Sequence, residues 1–140
     1  MINVYTDFLK KDKLSLSFLI IHYNMGYDLY NQKQYRKAIE QFSIVTKVNP
    51  SFSLAYYQWG LALHDQAKYN EAIEKYNLAI NNDPQRQHPF TYYYLGLAYS
   101  SNGQNEEAIN AFKQFLEFAP NSDLTSKTKE ILNGLFKNSK

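Results

Sequence analysis

The 140-residue sequence has no cysteine, which excludes disulfide frameworks, thiolate zinc sites, iron–sulfur clusters and thiol catalysis. It also has no strong excess of charge of either sign, because 15 lysines and arginines against 13 aspartates and glutamates leave a formal net charge of +2. Proteins that hold nucleic-acid backbones through a basic field are more strongly positive. With 44% apolar residues, the composition instead favours a chain that buries a core.

Long hydrophobic runs are also missing. The most apolar stretch, from Leu14 to Ile21, is interrupted by two serines and is shorter than the ~20 apolar residues that a membrane-spanning helix needs. Lysines precede it, as in a secretory signal, but the residues after it are bulky where a cleavage site needs small ones. We therefore expect no membrane insertion and a cytoplasmic location.

Glycine and proline are scarce, at five and four residues, yet most of them belong to one repeating pattern. Each of three glycines is followed by an alanine after 12 residues, an aromatic residue after 16 and a proline after 24. Such a period is the mark of an array of similar structural units. The recurring residues are Gly26, Ala38, Phe42 and Pro50; Gly60, Ala72, Tyr76 and Pro84; and Gly96, Ala108, Phe112 and Pro120.

Each recurring residue type has a mechanical role in a helical unit. A glycine inside a helix costs about 1 kcal/mol relative to alanine, so its presence predicts close approach of a second helix. We expect the alanines to be the small residues that face the glycines, and the aromatic residues, one turn further on, to extend the buried stripe. The prolines cannot continue a helix and therefore mark turns between units.

Apolar residues recur at intervals of three and four rather than two, which predicts helices and no β structure. Each unit then contains a first helix (the A helix) and a second helix (the B helix), joined by a short polar turn. The predicted A helices cover residues 19–31, 53–65 and 88–101, and the predicted B helices cover residues 36–48, 70–82 and 105–118.

The period of 34 residues between Gly26 and Gly60 resembles that of the tetratricopeptide repeat. The third unit meets the family pattern of an aromatic residue, Leu-Gly and a second aromatic residue with Tyr92, Leu95-Gly96 and Tyr99. The resemblance implies an all-α fold, a right-handed α-solenoid or superhelix of antiparallel helix pairs. It also implies that the A helices line a concave groove.

We expect three repeats, at residues 19–52, 53–86 and 87–122. Two extra residues between the second and third units predict a longer link or an extra half turn at the start of the third A helix. Residues 1–18 form an N-terminal extension, expected either to be an extra helix or to stay mobile. Residues 123–140 are expected to be a capping helix and tail that shield the last apolar surface.

In the family that the chain resembles, ligands bind in the concave groove. Projecting that face onto the A helices selects residues at intervals of three, four and three, the pattern of one helical face. The candidate groove residues are Ile20, Tyr23, Tyr27 and Tyr30; Leu54, Tyr57, Gln58, Leu61 and His64; and Phe90, Tyr93, Tyr94, Leu97 and Ser100.

The candidate groove is rich in tyrosine and poor in charge. Tyr23, Tyr57 and Tyr93 occupy the same place in each unit, and Asp28 and Asp65 are the only charged residues of the predicted A helices. Tyrosine combines contact area with a polar tip, which suits recognition. For any single tyrosine, the alternative is packing between A helices, because aromatic stripes at helical spacing also form cores.

The predicted function is a non-catalytic protein–protein interaction module that binds a peptide segment or an amphipathic helix of a partner protein. One alternative is a chaperone like the class II chaperones of type III secretion systems, which hold a translocator segment. A distant alternative is a helical repeat that binds single-stranded RNA. The clamp by which some relatives hold acidic chaperone tails is not expected, because its positions hold Tyr23, Tyr27, Gln58, Phe90 and Tyr94, none of them cationic.

The sequence favours no enzyme, metal site or cofactor. The three histidines, His22, His64 and His88, are far apart and lack a carboxylate at a metal-ligand spacing. The glycines occur singly, so there is no phosphate-binding loop. Nucleic acid is disfavoured as a partner because the groove residues include no cation.

Overall fold

The computed structural model describes residues 4–138, including the side chains of residue 7, residue 11 and residues 14–138. This part of the chain contains seven α-helices and no strand, which confirms the all-α prediction. Within it, no helix combines the length and the apolar character needed to cross a bilayer. The helices are α1 (Val4–Asn31), α2 (Tyr35–Val48), α3 (Ser53–Asp65), α4 (Tyr69–Asn81), α5 (Phe90–Ser101), α6 (Asn105–Phe118) and α7 (Thr125–Asn138).

Three helix pairs, α1–α2, α3–α4 and α5–α6, stack side by side in chain order. Each pair turns through one residue with positive φ at the same place in the unit: Lys33 (61°), Ala67 (59°) and Gly103 (78°). Such a left-handed residue satisfies the last carbonyls of the first helix. The three turns therefore have similar backbone conformations, although only the third has glycine at this position.

The three repeating glycines each lie against the aromatic ring of their own unit. A Cβ atom built on Gly26 would lie 2.5 Å from the Phe42 ring, and one on Gly60 would lie 2.5 Å from Tyr76. The sequence correctly predicted close helix approach, but the group that faces each glycine is this ring and not the alanine. The alanines lie fully buried beside the rings.

Helix α1 is longer than predicted. It runs without a break from Val4 through the first A helix to Asn31, so the predicted start at residue 19 is not a helix boundary. Residues 4–18 are therefore neither a separate helix nor an irregular segment, and residues 1–3 lie outside the described part. Leu14, Phe18 and Ile21 are exposed on this helix.

The two extra residues before the third unit lengthen the link between α4 and α5. The Asp83 carboxylate accepts hydrogen bonds from the backbone N–H groups of Gln87 (2.9 Å) and His88 (2.8 Å). Helix α5 then begins at Phe90, two residues later than predicted. Of the two expected outcomes, the longer link is the one observed, and there is no extra half turn.

Helix α7 covers the outer side of the third helix pair. Its Thr128, Leu132 and Leu135 are buried, and the two leucines belong to the core cluster that contains Tyr93 and Phe115. An array needs such a helix because its last unit would otherwise leave an apolar face in water.

Candidate functional site

A cavity of about 410 Å³ lies on the side of the array formed by α1, α3 and α5. We call it the central cavity. The last turns of α1, the inner face of α3 from Tyr57 to Asp65 and the middle of α5 contribute its walls.

Eight of the candidate groove residues line the central cavity. They come from all three A helices and include four tyrosines. These residues are Tyr27, Tyr30, Tyr57, Gln58, Leu61, His64, Tyr94 and Leu97.

The other six candidates lie outside the cavity lining. Ile20 is exposed on α1, and the Tyr23 ring packs 5.4 Å from Phe52 between the first two units. Leu54 and Phe90 pack against the core cluster of the second unit. Helical periodicity therefore selected a wider face of the A helices than the part that lines the cavity. Ser100, the fourteenth residue of that face, also lies outside the lining.

The expected open row of Tyr23, Tyr57 and Tyr93 is not formed, because Tyr57 is only 8% exposed and Tyr93 is enclosed. Tyr57 still lines the cavity, but Tyr93 does not. Its side chain is only 3% exposed and packs against the rings of Phe112 (5.9 Å) and Phe115 (5.7 Å). Tyr93 is therefore a core residue of the third unit, as the packing alternative allowed.

The sequence analysis missed two cavity residues, Asn31 and Asp65. Each lies four residues after a candidate, Tyr27 and Leu61 respectively, and therefore on the same helical face. The candidates on α1 and α3 ended one residue earlier, at Tyr30 and His64. Including the residue four positions after Tyr27 and after Leu61 would have found both.

Asp65 connects the first two units. The Tyr30 hydroxyl on α1 donates a hydrogen bond to Oδ2 of Asp65 at 2.6 Å. Burial, with a smaller effect from this carboxylate, raises the pKa of Tyr30. Burial also raises the pKa of Tyr57, so both phenols are neutral near pH 7.

His64 forms part of the cavity wall and contacts the core beneath it. Its burial lowers the pKa of the imidazole, and the neighbouring Asp65 opposes that shift only in part. The ring is therefore neutral at pH 7. Its Nδ1 lies 3.4 Å from the hydroxyl of Tyr76, whose ring is fully buried.

Gln58 lines the cavity, but its side-chain oxygen is buried behind the wall. The residue is only 8% exposed, and its Oε1 is out of contact with solvent and has no hydrogen-bond partner among the described residues. A buried acceptor without a partner costs about 1–3 kcal/mol.

The lining of the central cavity is aromatic and amide-containing. Across the described residues, no three His, Asp or Glu side chains lie close enough together to hold a metal ion. The lining instead combines aromatic surface, one carboxylate and two amides. This is a composition for contact and hydrogen bonding.

Comparison with protein families identifies the repeat. Family models described as tetratricopeptide repeat match residues 23–87 and residues 89–122. Comparison with curated proteins finds no significant match.

Solved structures share the fold. The type III secretion chaperone SycD of Yersinia enterocolitica, in complex with a peptide of the translocator YopD, is 17% identical with a TM-score of 0.81, covering 87% of this chain and 95% of SycD. The TPR2B domain of yeast Sti1 in complex with pHsp70 is 15% identical with a TM-score of 0.80, covering 87% and 98%. The first TPR of Spaghetti (RPAP3), bound to an HSP90 peptide, is 20% identical with a TM-score of 0.79, covering 87% and 93%. At these identities the likeness establishes the fold.

Proposed function

We propose a function that starts from the family: the chain belongs to the tetratricopeptide repeat family. It is a non-catalytic interaction module, and its central cavity binds an extended segment of a partner protein. The observation that carries the proposal is the tyrosine-lined cavity between α1, α3 and α5. Tyr27 on α1 and Tyr57 on α3 are the proposed contacts for the segment.

The exposed polar groups of the lining favour an extended segment over a helix. Backbone N–H groups of an extended peptide are free to donate, whereas those inside a helix already bond to their own carbonyls. Asn31, an exposed amide of the lining, would accept one such N–H. The tyrosine rings would then contact the neighbouring side chains of the segment.

The expected affinity is modest. Three apolar side chains of the segment, buried against these rings, would contribute about 1.5–3 kcal/mol each, while association costs about 4 kcal/mol or more. The balance is at most about 5 kcal/mol, which corresponds to a dissociation constant in the submillimolar range or weaker. The peptide-bound states of SycD, Sti1 and Spaghetti are compatible with a peptide ligand here.

The two alternatives concern the same cavity. A chaperone of the type III secretion kind would hold a translocator segment in it, so the identity of the captured segment separates that role from a general scaffold. Single-stranded RNA is disfavoured because the lining includes a carboxylate and no lysine or arginine to hold phosphates.

The test is selection from a phage-displayed library of random peptides against the immobilised full chain. Selected peptides are then labelled, and their affinity is measured by fluorescence anisotropy. Tyr27→Ala should weaken binding at least about fivefold, because it removes one anchor. Met25→Ala is the matched control, since Met25 lies on the same helix, is 44% exposed against 45% for Tyr27, and lies outside the cavity.

Equal affinity of the Tyr27→Ala variant and the parent chain would contradict the cavity as the binding site. Failure to select any peptide, with binding of a labelled single-stranded RNA at low salt, would favour the RNA alternative. Circular dichroism of both variants checks that the helices are intact.

A further inference from the structure

We propose that the central cavity takes a cationic side chain, an arginine or a lysine of the bound segment, against Asp65 and the surrounding tyrosine rings. This inference rests on the proposed peptide-binding function and specifies the chemistry of one anchor.

The charge of the cavity favours a cationic ligand. Asp65 is the one charged residue of the lining at pH 7, because burial keeps His64 neutral. Its carboxylate accepts from the neutral hydroxyl of Tyr30, and no lysine or arginine among the described side chains pairs with it. A phenol that donates a hydrogen bond leaves the negative charge in place. The cavity therefore holds one solvent-exposed carboxylate without a cationic partner among the described side chains.

The aromatic rings of the lining also favour a cationic ligand. Tyr27, Tyr30, Tyr57 and Tyr94 all line the cavity, and the rings of Tyr57 and Tyr94 meet edge to face at 5.7 Å. The face of an aromatic ring carries negative charge density and attracts ammonium and guanidinium groups. Rings and carboxylate therefore favour the same kind of ligand.

The chain's own cations meet aromatic rings elsewhere. The Nζ of Lys75 lies 3.8 Å from the centre of the Trp59 ring, and the guanidinium carbon of Arg86 lies 4.7 Å from that of Phe118. None of the cation–ring contacts found among the described residues involves a ring of the cavity. The cavity rings are thus left for a cation that the partner supplies.

Other anchors fit less well. An acidic side chain would meet Asp65 at close range and be repelled. An aliphatic side chain would cover the rings but remove water from the carboxylate without replacing its interactions. A lysine or arginine places its apolar stem along the rings and its charge at Asp65. The volume of about 410 Å³ lies within the range of cavities that hold ligands.

Asp65→Asn tests the charge alone. Asparagine has the same shape and still offers an oxygen to the Tyr30 hydroxyl, so the packing of the wall is kept. Asp28→Asn is the matched control, because it removes an exposed carboxylate of α1 that lies outside the cavity.

The experiment repeats the phage selection with the parent chain and with the Asp65→Asn variant. Peptides selected by the parent should share an arginine or lysine at one position, and peptides selected by the variant should not. Replacing that residue by norleucine in a labelled peptide should weaken binding to the parent at least about fivefold and to the Asp65→Asn variant much less. Asp28→Asn should change the affinity by less than about twofold.

Selected peptides that lack a shared cation, or a norleucine peptide that binds as well as its parent, would overturn the cationic anchor and leave the peptide-binding function standing. Failure of the parent chain to select any peptide would overturn both. The two failures are therefore distinguishable within one experiment.

Discussion

Tyr57 and Tyr93 occupy the same place in the second and third repeats, three residues before the repeating glycine, yet they serve different purposes. Tyr57 borders the central cavity with 8% of its side chain exposed. Tyr93 lies in the core of the third unit. Equivalent places in a repeat therefore do not make equivalent contributions to a binding surface.

The B helices explain the difference. Nineteen residues after the glycine, the second unit has Ala79 and the third has Phe115. The Phe115 ring packs 5.7 Å from Tyr93, whereas Ala79 supplies no ring at that place. Tyr57 packs against Tyr76 of its own unit (6.2 Å) and also against Phe90 and Tyr94 of the next A helix. Phe115 therefore encloses Tyr93 within the third unit, while Tyr57 lies in the second unit's core and still borders the cavity.

The largest expected effect comes from truncating the two tyrosines. Tyr93→Ala should lower the free energy of unfolding by about 3–5 kcal/mol, because it leaves a closed void among aromatic rings. Tyr57→Ala should cost about 1 kcal/mol less, because the space it leaves joins an open cavity that water can enter. Urea unfolding followed by circular dichroism measures both.

Peptide affinity should separate the same two residues. Tyr57→Phe and Tyr93→Phe keep the rings, and only Tyr57 lines the cavity, so only Tyr57→Phe should change the affinity. Equal stability losses for the two alanine variants, or a larger loss for Tyr57→Ala, would contradict the assignment of Tyr93 to the core and Tyr57 to the cavity.

Much of the fold could be predicted because the repeat is encoded locally. Gly60, Ala72 and Tyr76 lie within 16 residues of each other, so one helix pair with its short turn brings them together. The cavity depends on which helix comes next in space. No periodicity within α5 distinguishes Tyr93 from Tyr57, and the Tyr30–Asp65 hydrogen bond joins residues 35 apart.

The glycine contacts should behave alike in the two repeats, in contrast to the tyrosines. Gly60→Ala and Gly96→Ala each place a Cβ within 2.6 Å of a fully buried ring. We expect each to lower the free energy of unfolding by about 1–3 kcal/mol, since the ring has no room to move. Gly134→Ala is the control: no atom lies within 4 Å of its Cβ, and alanine should stabilise helix α7 by up to about 1 kcal/mol.

A clear loss for one of Gly60→Ala and Gly96→Ala without the other would show that the two units differ in packing as well as in exposure. A loss for Gly134→Ala similar to theirs would show that the close contacts are not the cause. Urea denaturation of the three variants under the same conditions separates these results.

The smallest expected effect concerns pH and again separates the two repeats. The ring that covers Gly60 is Tyr76, while the ring that covers Gly96 is Phe112, which does not titrate. Burial raises the pKa of Tyr76 above its ordinary value of 10.0, so the folded chain keeps the phenol protonated after the unfolded chain has begun to ionise. The contribution of Tyr76 to the free energy of unfolding is therefore fully present below about pH 10. It falls as pH rises above that value, by up to about 1.4 kcal/mol per pH unit.

Tyr76→Phe should make this decline less steep. Near pH 8 it should change stability little, because only the 3.4 Å contact of the Tyr76 hydroxyl with His64 is lost. Parallel pH curves for the parent chain and Tyr76→Phe would mean that the middle repeat does not carry this alkaline sensitivity.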